Sequence, residues 1–336
     1  MTPNSRTVGG LERGCFAVFD GARETVPLAD LAVALLERQK KTWPSLTVGY
    51  EALGEARLRE IRGDGWGVKI QFNPRRIVSS GARVDPETIR RRPCFLCPDH
   101  LPPEQQAILY RDDYLVLCNP MPIFPGHLTI AHRLHLPQSL PENMITFLRL
   151  AVDFGPRMTL FYNGPRAGAS APDHLHFQAA PAGLMPVEKE ILDPRKRTGT
   201  RLRDGVEICR TVGLARGILL IEGTEEENVA AAVGDVIGLL GRSTTSDGEP
   251  LLNILCTRTG EGWRLILFPR LKLRPAAYFL EGEERLLVSP GAVDMGGMII
   301  TSREKEFHAL TPDLVAEIFR EVAFDDAAVD AMLDAI

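Results

Sequence analysis

The run Asp173-His174-Leu175-His176-Phe177-Gln178 alternates polar and apolar residues at a two-residue step. A strand can use that step to bury one face, whereas a helix spreads the same residues around its axis. The spacing predicts a strand with His174, His176 and Gln178 on one face. Two imidazoles and an amide make a poor core surface but a good one for holding phosphate. A neutral imidazole attacks phosphorus directly and divides one displacement into two easier ones. His176, central in the run, is the candidate nucleophile, and its second ring nitrogen must then hold its proton against a backbone carbonyl. Gln178 can donate to a phosphoryl oxygen but cannot act as a general acid, which suits transfer between phosphate-bearing molecules better than hydrolysis. Gly168-Ala169-Ser170 just upstream permits close backbone approach, and the Ser170 hydroxyl is a further candidate donor to developing charge.

Cys94-Phe95-Leu96-Cys97 has the gap that lets two thiolates reach one tetrahedral zinc. A redox pair is the competing reading, but Pro98 and Pro102-Pro103 interrupt the helix that such a pair would need. His174 is a natural third ligand because a metal there braces the strand that carries His176. His100, His127, His132 and His135 compete for the fourth place, and His135 is chosen because it ends the segment that His127 opens. Four protein ligands make a closed, structural site.

The hydrophobic share of 44% and charged share of 25% are those of a globular protein, and 336 residues can bury a substantial core. A net charge of −5 provides no field for a nucleic acid polymer. No apolar run is long enough for a membrane helix and no secretory signal is evident, so a cytoplasmic protein with reduced thiols is expected. Periodicity predicts helices over 28–40, 50–61, 144–154, 225–240 and 311–322, and strands over 68–72, 114–117, 127–131, 158–162, 217–222, 251–256 and 263–268. Residues 188–205 read as a polar connection between halves. The expected class is α+β with mostly antiparallel sheet. The expected division is a helical extension over 1–66, a catalytic half over 67–190 and a related half over 191–336.

Cys94-Phe95-Leu96-Cys97, Pro125-Gly126-His127-Leu128-Thr129-Ile130 and the histidine run occur in the order seen in the histidine-triad superfamily. The chain resembles its transferase branch: galactose-1-phosphate uridylyltransferase, diadenosine tetraphosphate phosphorylase and GDP-L-galactose phosphorylase. The resemblance implies two related halves in one chain, a covalent nucleotide on His176, and Gln178 against the transferred group. It assigns a structural zinc to Cys94, Cys97, His135 and His174, the nucleotide ribose to Asn119, and the phosphates to Asn163 and Gly164. Arg270, Lys272 and Arg274 alternate and are candidates to hold a phosphate-bearing second substrate; Arg75 and Arg76 are candidates of the same kind, with a solvated edge the alternative in both cases. Only His308 lies in the C-terminal half, too few for the second metal site of some uridylyltransferases, which favours phosphorolysis.

The expected activity is therefore a phosphorylase-type nucleotidyltransferase. It would pass a nucleoside monophosphate from a dinucleoside polyphosphate or nucleotide sugar to phosphate or a sugar phosphate. A hexose-1-phosphate uridylyltransferase and a non-catalytic nucleotide sensor are the alternatives, and a pure zinc-knuckle module would use too little of the chain. A monomer or a homodimer is compatible with an internal duplication.

Overall fold

A computed structural model describes residues 14–21, 25–77, 85–242, 248–260 and 262–336. Among the described residues the main sheet has eleven strands, and its order carries the duplication. In the first half, β4 (Ala107–Tyr110), β5 (Tyr114–Cys118) and β6 (Leu128–His132) run as a meander. A helix (Met144–Phe154) follows, then β7 (Met158–Asn163), and β8 (His176–Pro181) inserts between β6 and β7. The second half repeats the path with β9 (Arg197–Arg203), β10 (Val206–Thr211), β11 (Leu219–Gly223), a helix (Glu226–Arg242), β12 (Leu252–Thr259) and an inserted β13 (Gly262–Pro269). The halves join where β7 pairs antiparallel with β12, with Asn163 opposite Asn253. β1 (Cys15–Phe19) extends the first half in parallel with β4.

Strand alternation sends the two faces of this sheet into different cores. Leu175, Phe177, Ala179, Leu160, Tyr162, Ile254 and Leu265 face a layer of helices that includes α1 (Leu28–Thr42), α3 (Met144–Phe154) and α4 (Glu226–Arg242). These helices bury residues at three- and four-residue steps, such as Phe147, Leu148 and Ala151 or Val229, Val233 and Val236. Phe161, Ala180, Leu255, Ile266 and Phe268 face the opposite way. There they meet a three-stranded sheet of β2 (Arg57–Arg62), β3 (Gly67–Phe72) and β14 (Met298–Thr301), and helix α5 (Pro312–Val322). Thr311 caps α5, its hydroxyl accepting the Leu314 N–H. The class is α+β with antiparallel-rich sheet in two related halves.

Three expectations need correction. The helix expected over 50–61 is instead the end of α2 (Pro44–Gly54) followed by strand β2. Tyr50 and Leu53, then Leu58 and Ile61, stand three residues apart and mimic helical spacing, but Gly54 ends the helix and β2 is an edge strand with exposed polar residues. The stretch 1–66 thus contributes strands β1 and β2 as well as helices; its first 13 residues lie outside those described. The polar connection over 188–205 contains β9, an edge strand whose exposed Arg201 and Arg203 pair with Asp334 and Asp235, while part-buried Arg197 pairs with Glu222. Among the described residues no helix is long and apolar enough to cross a membrane.

Candidate functional site

On the face away from the helices, the sheet floors a cavity of about 640 Å³. His176, Gln178, His127 and Thr129 line it from β8 and the start of β6, with Ser170 on the loop before β8 and a wall from residues 287–294 of the second half. Because Leu175 and Phe177 are pinned in the helix-side core, His176 and Gln178 are forced onto the cavity side. The His176 Nδ1–H donates to the carbonyl of His174 at 2.8 Å. That bond fixes the tautomer and leaves the lone pair on Nε2. The ring is nearly fully buried, and burial is the main reason its pKa is drawn down to about 4.

A histidine held below its ordinary value keeps its lone pair at every pH above that value. Any reaction that begins with attack by His176 should therefore run at a pH-independent rate from about pH 8 to pH 5 and fall only near pH 4. A pre-steady-state pH profile of histidine labelling checks this, and an acid limb near the ordinary histidine value would contradict it. Stability follows the same sign: below the ordinary value the unfolded chain binds the proton that folded His176 refuses, so acid destabilises the fold.

Gln178 is oriented by a residue that the sequence offered only as a strand opener and a metal candidate. The Ile123 N–H donates to Nδ1 of His127 at 3.1 Å, so the neutral ring carries its proton on Nε2. That proton is given to Gln178 Oε1 at 2.9 Å. With its oxygen engaged, Gln178 has its NH₂ left for a ligand. Burial, then the Arg76 charge, hold the His127 pKa down at about 3, so the relay stays neutral.

Other expected site residues divide clearly. Ser170, Asn119, Asn163, Arg76 and Arg274 line the cavity. Asn119 folds onto its own turn, accepting the Met121 N–H and donating to Thr129 Oγ1. Asn163 Oδ1 accepts from Asn253 Nδ2 and the Ala292 N–H, so its carbonyl oxygen ties the two halves together. Arg76 donates to the Met121 carbonyl, while its buried Nε has no hydrogen-bond partner. Burial lowers the Arg76 pKa to about 10, still cationic at neutral pH, with Asp294 of the same cavity favouring the charge. Arg274 lies over the Tyr278 ring and donates to Ser289 Oγ.

Gly164, Arg75, Arg270 and Lys272 do not line it. Gly164 packs on the Leu252 carbonyl, which a Cβ would crowd at 2.9 Å. Arg75 is exposed, and Lys272 pairs with Glu321 at the surface. Arg270 is buried and spends its five N–H groups on the carbonyls of Val322, Pro290, Lys272 and Leu273 and the side chain of Asn253, leaving no donor for phosphate. Residues the sequence reading missed are His127, Arg92 and Asp294. Arg92 lines the cavity and donates to the Ser170 carbonyl. Asp294, which accepts the Gly291 and Ile300 N–H groups, has its pKa pushed up to about 6 by burial.

Cys94, Cys97, His135 and His174 converge with their ligand atoms all within 4.8 Å of one another. Cys94 Sγ is 3.2 Å from His174 Nδ1, and Cys97 Sγ is 3.2 Å from His135 Nδ1. His174 donates its Nε2–H to the His132 carbonyl at 2.7 Å, which frees Nδ1 to ligate; Asp173 lies beside His135 Nε2. Two thiolates and two imidazoles, each ring oriented from behind, fit a metal ion. The knuckle also supplies Phe95, Leu96 and His100 to the cavity wall.

Residues 35–181 match the family model described as a domain of unknown function, DUF4922, and residues 186–336 match the GDPGP1-like C-terminal domain. The fold is similar to that of yeast Ap4A phosphorylase Apa2, at 15% identity and a TM-score of 0.58 over 88% of this chain and 94% of that one. The same yeast protein solved with AMP matches at a TM-score of 0.56, with 15% identity over 86% of this chain and 96% of that one. Solved with Ap4A it matches at 0.55, with 14% identity over 87% and 97%. No curated protein matches the chain by sequence.

Proposed function

We propose that the chain is a phosphorylase-type nucleotidyltransferase of the transferase branch of the histidine-triad-like superfamily, a reading supported by the match of residues 186–336 to the GDPGP1-like C-terminal domain and by the fold shared with yeast Ap4A phosphorylase. His176 Nε2 attacks the α-phosphorus of a dinucleoside polyphosphate or nucleotide sugar. The P–O bond to the rest of the donor breaks, and that fragment leaves as a phosphate-terminated anion. A nucleoside monophosphate stays on Nε2 until the oxygen of phosphate or a sugar phosphate displaces it, returning the lone pair to nitrogen. Neither displacement needs a general acid, in keeping with an amide at Gln178. The Gln178 NH₂ and Arg76 meet the charge on the phosphoryl oxygens, where preorganised donors contribute most.

The observation that carries this reading is one ring: His176, neutral, with Nδ1–H committed to a carbonyl and its body on the wall of a cavity large enough for a nucleotide. The four-ligand cluster is proposed to hold zinc in a structural role, since a closed set of two thiolates and two imidazoles leaves no open position for substrate. Zinc there neutralises the two thiolates and fixes both imidazoles.

The test is to incubate the protein with diadenosine tetraphosphate, UDP-glucose, GDP-glucose and ADP-glucose, with and without phosphate. Phosphate-dependent release of a nucleoside diphosphate is expected, with an acid-labile nucleotide adduct on His176 by intact-mass spectrometry. Equal turnover without phosphate points to water as acceptor. No adduct with any donor favours a sensor.

A further inference from the structure

The ladder between β7 and β8 stops at Gln178, two residues short of the nucleophile. Phe161 pairs with Gln178, and the same register would go on to set Tyr162 opposite Phe177 and Asn163 opposite His176, yet neither pair forms. On its other side His176 remains paired, opposite Ala131 of β6. The strands part at the point where the cavity opens. Parting leaves the His176 N–H and C=O and the Asn163 C=O in a dry interior with no strand partner, a penalty that buried backbone must avoid.

Gln138 fills the gap. Its side chain is almost fully buried. Oε1 accepts the His176 N–H at 2.8 Å, and Nε2 donates to the His176 carbonyl at 3.0 Å and to the Asn163 carbonyl at 2.9 Å. A primary amide carries the same donor and acceptor as a peptide unit, so this side chain serves as a detached rung that bridges two strands held apart. The backbone that carries it is held as well: the Gln138 N–H donates to the Pro172 carbonyl, and the Leu136 carbonyl accepts the Leu175 N–H at 2.6 Å. His135, three residues earlier, belongs to the metal cluster.

We propose that Gln138 is a positioning residue for the transfer reaction, bridging the parted strands so that His176 keeps its backbone fixed while the cavity stays open beside it. The inference rests on the reading of His176 as the nucleophile. Gln138 does not line the cavity, and so acts through His176 and not on substrate. The His176 ring takes its tautomer from the carbonyl two residues back, so a shift of the 174–176 backbone turns Nε2 away from in-line attack. Misplacement of a reacting atom by about 1 Å lowers rate on the order of 100-fold.

Gln138→Met keeps length and volume and removes the bridge. Single-turnover adduct formation, with whichever of the four donors labels the native chain, is expected to slow roughly 100-fold. Affinity for the corresponding nucleoside monophosphate should stay within about threefold, with bound metal unchanged, because the cavity wall and the metal ligands are intact. Hydrogen exchange at the His176 amide should accelerate. Gln138→Glu, which keeps an acceptor for that amide, should lose less rate than methionine and serves if the methionine variant does not fold. A native adduct rate in Gln138→Met overturns the proposal, as does a rate loss matched by equal losses of nucleotide affinity and metal. Should no donor label the native chain, the functional reading fails; the bridge is then judged by exchange, and an unaltered His176 amide in Gln138→Met overturns it.

Discussion

Replacing His176 by glycine is expected to abolish adduct formation and to lower turnover by on the order of 10⁴ or more, the scale seen when a covalent nucleophile is removed. Each tenfold corresponds to about 1.4 kcal/mol of barrier, so the substitution removes at least about 5 kcal/mol of transition-state stabilisation. The fold should tolerate it. The neighbours Leu175 and Phe177 keep β8 in the helix-side core, and Gln138 and β6 grip the backbone of residue 176 whatever its side chain. Glycine within a strand weakens it by only about 1 kcal/mol. Nucleotide affinity, set by the rest of the cavity, should change by no more than about threefold. The measurement is paired: turnover of the active donor and calorimetric binding of the nucleoside monophosphate. Turnover that survives in the glycine variant would sink the covalent mechanism, whereas loss of binding in parallel with rate would mean that His176 serves only to shape the pocket.

The histidine run was legible because polar and apolar residues alternate along it, so one pattern specified both the strand and the face that lines the cavity. The cysteine–histidine cluster was legible for a related reason: two cysteines at a fixed gap announce a loop, and only a few histidines could complete it. What remained hidden depends on contacts across the chain. β4 and β14 are four-residue runs buried throughout, with no periodicity to separate strand from helix. β2 and β9 are polar edges with little apolar pattern. Arg270 looked like a phosphate ligand because basic residues recur at alternate positions, but β13 ends at Pro269 and the chain beyond it is not a strand. Its guanidinium is consumed by carbonyls from distant segments, which no local pattern reveals. His127 and Gln138 were passed over for the same reason, since each acquires its role only by touching the histidine strand. The duplication was expected from resemblance, but its cause is visible only in strand order: each half is a three-strand meander, a helix and an inserted hairpin, and the pairing of β7 with β12 makes one sheet of two.

Removing the metal is expected to have the second large effect, and its path to the active site can be followed bond by bond. In the proposed site His174 would ligate through Nδ1; it anchors through Nε2 to the His132 carbonyl, and its own carbonyl receives the His176 Nδ1–H. Loss of the metal frees His174 and His135 together, and with them the 132–138 segment that carries Gln138. The knuckle has little else to hold it, since the apolar cluster around Cys94 and Leu96 is small beside the two main cores. Native protein should contain about one zinc per chain by elemental analysis. A ligand present at 1,000 times its Kd stabilises the state that binds it by about 4 kcal/mol, and chelation should forfeit stabilisation of that order, first in residues 92–101 and 132–138 by hydrogen exchange. Adduct formation should fall on the order of 100-fold through displacement of His176, and zinc should restore it. Cys94→Ser is expected to reproduce the chelated state without rescue. Asp173→Asn, which removes the charge beside His135 Nε2 but keeps an oxygen for Arg92, should weaken metal retention by about 10- to 100-fold while leaving the loaded protein active. Full adduct formation in protein shown to be free of metal, with unchanged exchange at His174 and His176, would separate the cluster from the reaction and reduce it to a local staple.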